Sequence, residues 1–183
     1  MRRIKTSLAT AAVAASAFTM TSAAHAADGV ITFSGNLVAA GCDVSVNGSG
    51  SSNTVALPSI TTDQLDTAGD TAGPTPFTIA ISNCNAGLTT VSTYFEPGGT
   101  VSTTGNYLAN QNGAGATGVH IRLLNASGGV VNLAGAHTAQ NAGTATVTGG
   151  AAIQRFTAVY YTPAGGATAG ALSTSVNYSI IYL

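Results

Sequence analysis

Tryptophan is absent from this 183-residue sequence, and charge is scarce: only 6% of residues are Asp, Glu, Lys or Arg. Five basic side chains occur in all, and three of them, Arg2, Arg3 and Lys5, crowd the extreme N-terminus. Beyond that start the cations are Arg122 and Arg155, set against six acids. So few positive charges cannot form the basic patch that nucleic acid or an anionic membrane surface requires. Disordered chains combine low hydrophobicity with high net charge. Here 45% of residues are hydrophobic and the formal net charge is −1, which argues for a folded domain.

The usual catalytic sets are missing too. Past residue 26 the histidines are His120 and His137, and no Gly-x-Ser-x-Gly elbow occurs. Gly113-Ala114-Gly115-Ala116-Thr117-Gly118 matches the dinucleotide fingerprint literally. That motif must open a helix and be followed by an acid about twenty residues on; here a strand pattern follows and no acid comes after it. Asp63, Asp66 and Asp70 are too few and too spread to cage calcium. His120 reads as a surface histidine of a strand. The sequence therefore predicts no catalytic residue, no metal ligand and no cofactor, and a protein that is not an enzyme.

What the chain does have is a series of short strand patterns. In residues 173–183, Val176, Tyr178, Ile180 and Tyr182 take alternate positions, so a strand there points all four to one face. Neither Gly nor Pro interrupts them. So apolar a strand belongs inside a sheet, because an open edge invites uncontrolled pairing, yet no turn or returning partner follows it. Near the other end, in residues 29–42, Ile31, Phe33 and Leu37 share a strand face with Gly35 in register between them. Taken alone, this is an ordinary first strand.

Residues 1–26 read as a secretory signal peptide: a basic start, an apolar run from Leu8 to Met20, and a small-x-small Ala24-His25-Ala26. The run is too short and alanine-rich to be a comfortable membrane span, so no membrane insertion is expected. In an exported chain the two cysteines, Cys42 and Cys84, read as one disulfide. The chain-entropy model values such a bridge at roughly 4 kcal/mol.

Between the cysteines, a loop carrying the three aspartates is expected to end at Gly73-Pro74-Thr75-Pro76, with Phe77, Ile79 and Ile81 alternating after it. Further strands are expected at residues 91–95 and 119–123, the latter forming a hairpin with residues 130–133. Loops and short edge strands should fill 134–150, and a long strand should carry Phe156, Ala158 and Tyr160. Short strands at such intervals predict an all-β sandwich.

Four of these stretches, in order, resemble the chaperone–usher pilins of the type 1 fimbrial major-subunit family. Gly29 to Cys42 matches that family's G-x-[IV]-x-F-x-G-x-[LIV] opening ahead of a cysteine. Thr54-Val55-Ala56-Leu57-Pro58 and Phe77-Thr78-Ile79-Ala80-Ile81-Ser82-Asn83-Cys84 are similar to its next two segments. Gly170, fourteenth from the C-terminus, and the penultimate Tyr182 match its ending. The sequence departs from the pattern in its low charge and in Leu57-Pro58, where the family usually has a glycine after the apolar residue.

The resemblance implies an immunoglobulin-like β-sandwich that lacks its final strand and is completed by a donor strand from a neighbouring subunit. It implies a donor extension at 27–37, with Ile31, Phe33, Gly35 and Leu37 as donor residues, and a pilin domain at 38–183. The acceptor groove would carry Val176, Tyr178, Ile180 and Tyr182, with Gly170 part of the C-terminal motif. Implied partners are copies of the same chain, a periplasmic pilus chaperone, an outer-membrane usher and other fimbrial subunits. The product would be the shaft of an adhesive extracellular fimbria with a role in cell adhesion and biofilm. A minor subunit (adaptor or terminator) stays open as an alternative. A tip adhesin fits less well, since it would carry an added lectin domain and lack the extension.

Overall fold

The computed structural model describes residues 41–183 except Gly105. The expected signal peptide and the expected donor residues Ile31, Phe33, Gly35 and Leu37 lie outside the described residues.

Alternation of large apolar and small polar side chains builds the two longest strands. In β2 (Thr71–Ser82) Phe77, Ile79 and Ile81 are buried, and in β7 (Ala152–Tyr161) Ala152, Gln154, Phe156 and Ala158 are buried. The two pair antiparallel, Phe77 opposite Phe156 and Ile81 opposite Ala152, so both inward rows meet on one face. The other strands are β1 (Asp43–Val46), β3 (Thr90–Phe95), β4 (Leu108–Ala109), β5 (His120–Asn125), β6 (Ala145–Thr146) and β8 (Tyr178–Tyr182). One sheet runs β1-β2-β7-β5-β4 and the other β6-β3-β8. Their inner faces form one core, in which Phe156 stacks on Phe77 at 5.5 Å and meets Phe95 of β3 edge-on at 5.1 Å. The all-β sandwich expected from the strand spacing is what the chain forms.

Three local expectations need correction. β2 begins at Thr71, so Gly73 and Pro74 lie within it. A break in register between Ala72 and Thr75 takes up Gly73, whose φ is +59°, and Pro74, which has no N–H for the ladder. Residues 130–133 form a turn and a bridge to Leu124 but no strand. The chain does turn back onto β5, with Asn125 N–H donating to Gly129 O and Val131 N–H to Leu123 O. The fully buried Val131 and Leu133 extend no ladder beyond that, and Asn132 N–H donates to Gln140 O. The last strand is shorter than its pattern: Val176 precedes β8, because residues 171–175 bond to the 100–116 segment. Ala116 N–H donates to Ala171 O, Gln111 N–H to Ser173 O, and the Thr100 hydroxyl to Ser175 O.

His120 lies on the outer face of the larger sheet, as expected, but stacks on Tyr107 at 4.4 Å instead of standing among polar groups. Arg122 lies 3.3 Å over the ring of Tyr161 beside it, so these aromatics pin the segment ahead of β4 to the sheet.

The free side of β3 is closed by a side chain. Gln140 is fully buried; its carboxamide oxygen accepts the Phe95 N–H at 2.9 Å and its nitrogen donates to Phe95 O at 2.5 Å, as a neighbouring strand would. The same nitrogen reaches Leu133 O at 3.3 Å and Gly135 O at 3.2 Å. Removing the amide strands buried peptide groups, which costs the full desolvation penalty of each. Gln140→Leu is expected to lower unfolding free energy by about 3 kcal/mol in a denaturant titration. A loss within experimental error of zero would show that Gln140 is not the partner Phe95 depends on.

Candidate functional site

β8 supplies the site because its two edges differ. It pairs antiparallel with β3, setting Val91, Thr93 and Phe95 opposite Tyr182, Ile180 and Tyr178. Leu183 N–H donates to Thr90 O at 2.9 Å and Glu96 N–H donates to Asn177 O at 2.8 Å. By the antiparallel alternation, residues 177, 179, 181 and 183 therefore turn their peptide groups to β3. Tyr178, Ile180 and Tyr182 turn theirs the other way, where no strand pairs with β8 among the described residues. The strand expected inside a sheet stands at an edge.

Across that edge lies β1, the outermost strand of the other sheet. Between them runs a groove of about 970 Å³. Val44 and Val46 line one side, Val176, Tyr178, Ile180 and Tyr182 the other, and Ile79, Phe95 and Leu123 the floor. No charged side chain lines it among the described residues. All five residues of β8 are only half-buried although four of them, two isoleucines and two tyrosines, are large, and Ile180 packs against two core clusters at once. Each further fully covered Ile or Val side chain would contribute about 1.5–3 kcal/mol, so the groove favours an extended, uncharged, apolar occupant. Among the described residues it brings together no acid–base pair and no metal ligand set.

Two tyrosine hydroxyls reach across it. Tyr182 Oη accepts the Cys42 N–H at 3.1 Å, and Tyr178 Oη donates to Ser51 O at 2.6 Å. On the outer side, Ser179 Oγ bonds to the Glu96 carboxylate. The Cys42–Cys84 disulfide forms, tying the start of β1 to the end of β2, where Asp43 pairs with Ser82. Cys42, Cys84 and Tyr182 pack on the same core cluster.

Gly170 lies apart from the groove lining. Its φ is +154°, and a Cβ there would stand 2.5 Å from the Ala116 nitrogen, so only glycine lets the chain pass that close before entering the groove wall. Sequence reading missed the rest of the wall: Val55, Leu57, Leu108 and Leu172 also line it. Alternation in Thr54-Val55-Ala56-Leu57-Pro58 is the signal that could have placed two of them, but the segment pairs with no strand.

Burial raises the Tyr178 phenol above its ordinary value near 10. A raised folded-state value favours the neutral form, so this stabilisation is complete below pH 10 and is lost as pH rises through the raised value. The thermal midpoint of the wild type is expected to fall more steeply between pH 9 and 11 than that of Tyr178→Phe. Equal slopes would show that the Tyr178 hydroxyl is not held in its neutral form by the fold.

Comparison with known proteins gives the family and the fold. The family model described as fimbrial protein matches residues 31–182. The major fimbrial subunit SMF-1 of Stenotrophomonas maltophilia is 44% identical over 165 residues, covering 87% of this chain and 95% of its own. The F17 fimbrial protein of Escherichia coli is 37% identical over 188 residues, covering 100% and 99%. Among solved structures, an antigen and type I fimbria protein of Burkholderia pseudomallei superposes with a TM-score of 0.53 at 22% identity, covering 78% of this chain and 90% of its own. The shared fold is the immunoglobulin-like β-sandwich of fimbrial subunits. The chain belongs to the fimbrial protein family and is a structural subunit of chaperone–usher surface fimbriae.

Proposed function

We propose that this subunit builds the fimbrial shaft by donating one strand and accepting another. The observation that carries the reading is the unpaired edge of β8 beside an apolar, uncharged groove. A segment of the same chain has the complementary pattern: Ile31, Phe33 and Leu37 alternate with small polar residues, and Gly35 sits between them. In this reading residues 1–26 are a signal peptide, 27–37 the donor extension and 38–183 the accepting domain. Val176, Tyr178, Ile180 and Tyr182 receive the donor, and Gly170 sets the path of the chain into that wall.

Strand addition satisfies both needs of the edge at once. The main-chain ladder contributes roughly 0.5–1.5 kcal/mol per hydrogen bond net, and each large donor side chain about 1.5–3 kcal/mol. Ordering the extension costs roughly 1–2 kcal/mol per residue, so the groove must be well filled for assembly to proceed. Before assembly the same edge needs a temporary cover, which is the part assigned to a periplasmic chaperone, with an outer-membrane usher receiving the subunit. The role is mechanical and adhesive, with no catalysis. Relatives include both major and minor fimbrial subunits; possession of both a donor pattern and an acceptor edge favours a subunit within the fibre over a tip adhesin.

Deleting residues 27–37 separates donating from accepting. The truncated subunit is expected to stay folded by circular dichroism, to bind a synthetic peptide of residues 29–37, and never to polymerise alone. Gly35→Leu in the full chain should slow assembly, because a large side chain enters a place with no volume for it. A truncated protein that unfolds and is not rescued by peptide, or one that still forms fibres, would contradict strand donation by this segment.

A further inference from the structure

We infer that Tyr178 and Tyr182 are spacers whose hydroxyls hold β8 and β1 one strand-width apart, so that the groove is pre-formed for an incoming strand. The inference rests on the strand-accepting reading above and assigns its two tyrosine hydroxyls a positioning role distinct from their rings.

β1 and β8 belong to different sheets, and no backbone ladder joins them among the described residues. Two side-chain bonds do. Cys42, whose N–H donates to Tyr182 Oη, immediately precedes β1; Ser51, whose carbonyl accepts from Tyr178 Oη, lies beyond its end. The tyrosines stand four residues apart on one face of β8, so the two hydroxyls bracket the length of β1. A tyrosine side chain plus one hydrogen bond spans about two inter-strand spacings of ~4.8 Å each, the gap that a single added strand fills.

Gly41 makes one of these bonds possible. A Cβ at Gly41 would stand 2.7 Å from Tyr182 Oη, closer than such atoms approach. Ile180, between the two tyrosines, has no polar tip and only packs against the core. An apolar wall alone would be served equally well by phenylalanine at both positions; the hydroxyls add reach and a fixed distance. A gap held at the right width spares the incoming strand the cost of ordering its site. Each neutral hydrogen bond of this kind is worth roughly a two- to tenfold factor in an equilibrium.

The test uses the monomeric mature chain and a fluorescent peptide of residues 29–37, with binding followed by anisotropy and the thermal midpoint measured in parallel. Tyr178→Phe/Tyr182→Phe keeps both rings and is expected to bind the peptide about tenfold more weakly, chiefly through slower association, with the midpoint moved by only a few degrees. Gly41→Ala should reproduce the Tyr182→Phe loss and add nothing to it in the double variant. Unchanged peptide binding in the double phenylalanine variant overturns the spacer role, and so does a large fall in midpoint with binding intact, which would mark a merely structural bond. If the double variant does not fold, the single Tyr182→Phe and Gly41→Ala variants decide on the same criteria. A wild-type chain that takes up no peptide refutes strand acceptance itself, and the spacer role with it.

Discussion

Peptide groups of Tyr178, Ile180 and Tyr182 point out of the three-stranded sheet while their side chains point into an apolar groove. Hydrogen-bonding capacity and hydrophobic surface are thus left unmet at the same place. Water can satisfy the first but not the second, and any charged cover would have to leave its charge in an uncharged cleft. An extended apolar strand would meet both demands, which is the physical basis of the joint proposed between subunits.

The rest of the domain keeps that edge distinctive. The opposite side of β3 is closed by the two-residue β6 and then by the Gln140 carboxamide, so pairing capacity is not left open there. Inside, the Thr93 hydroxyl bonds to the Gln154 carboxamide at 2.7 Å, joining the two sheets beneath the groove. The disulfide fixes β1 to β2. Buried polar side chains that are fully partnered specify one arrangement where an all-apolar core would tolerate several. A sandwich short of a strand has particular use for that rigidity.

Much of this was legible in the sequence, because period-two alternation reports directly on which face is buried. Phe77, Ile79 and Ile81, and Phe156 and Ala158, were placed on their inner faces by pattern alone, and the cysteine pairing followed from there being two. Pattern failed where backbone partners, not side chains, decide the outcome. Val176 continues the alternation of the last strand, but its neighbours bond to the 100–116 segment and the ladder stops at Tyr178. Val131 and Leu133 look like a strand and are buried like one, yet their pairing with β5 stops after one bridge, at the Val131 N–H to Leu123 O bond. Alternation cannot tell a central strand from an edge strand either: the pattern of β8 alone called for the middle of a sheet, the family resemblance implied a groove beside it, and the strand order places it at the rim. The hydroxyl reach from Tyr182 to Cys42 spans most of the domain in sequence and no local signal announces it.

The most direct measurement is amide hydrogen exchange at Tyr178, Ile180 and Tyr182, read in the monomeric subunit and again in assembled fibres. Ser179 and Ile181, whose peptide groups face β3, serve as internal controls. Strand addition predicts slow exchange at the controls in both states, and protection of the three outward amides only after assembly. Outward amides equally protected in the monomer, or still exchanging freely in the fibre, would contradict the account, because the edge of β8 would then not be where one subunit takes hold of the next.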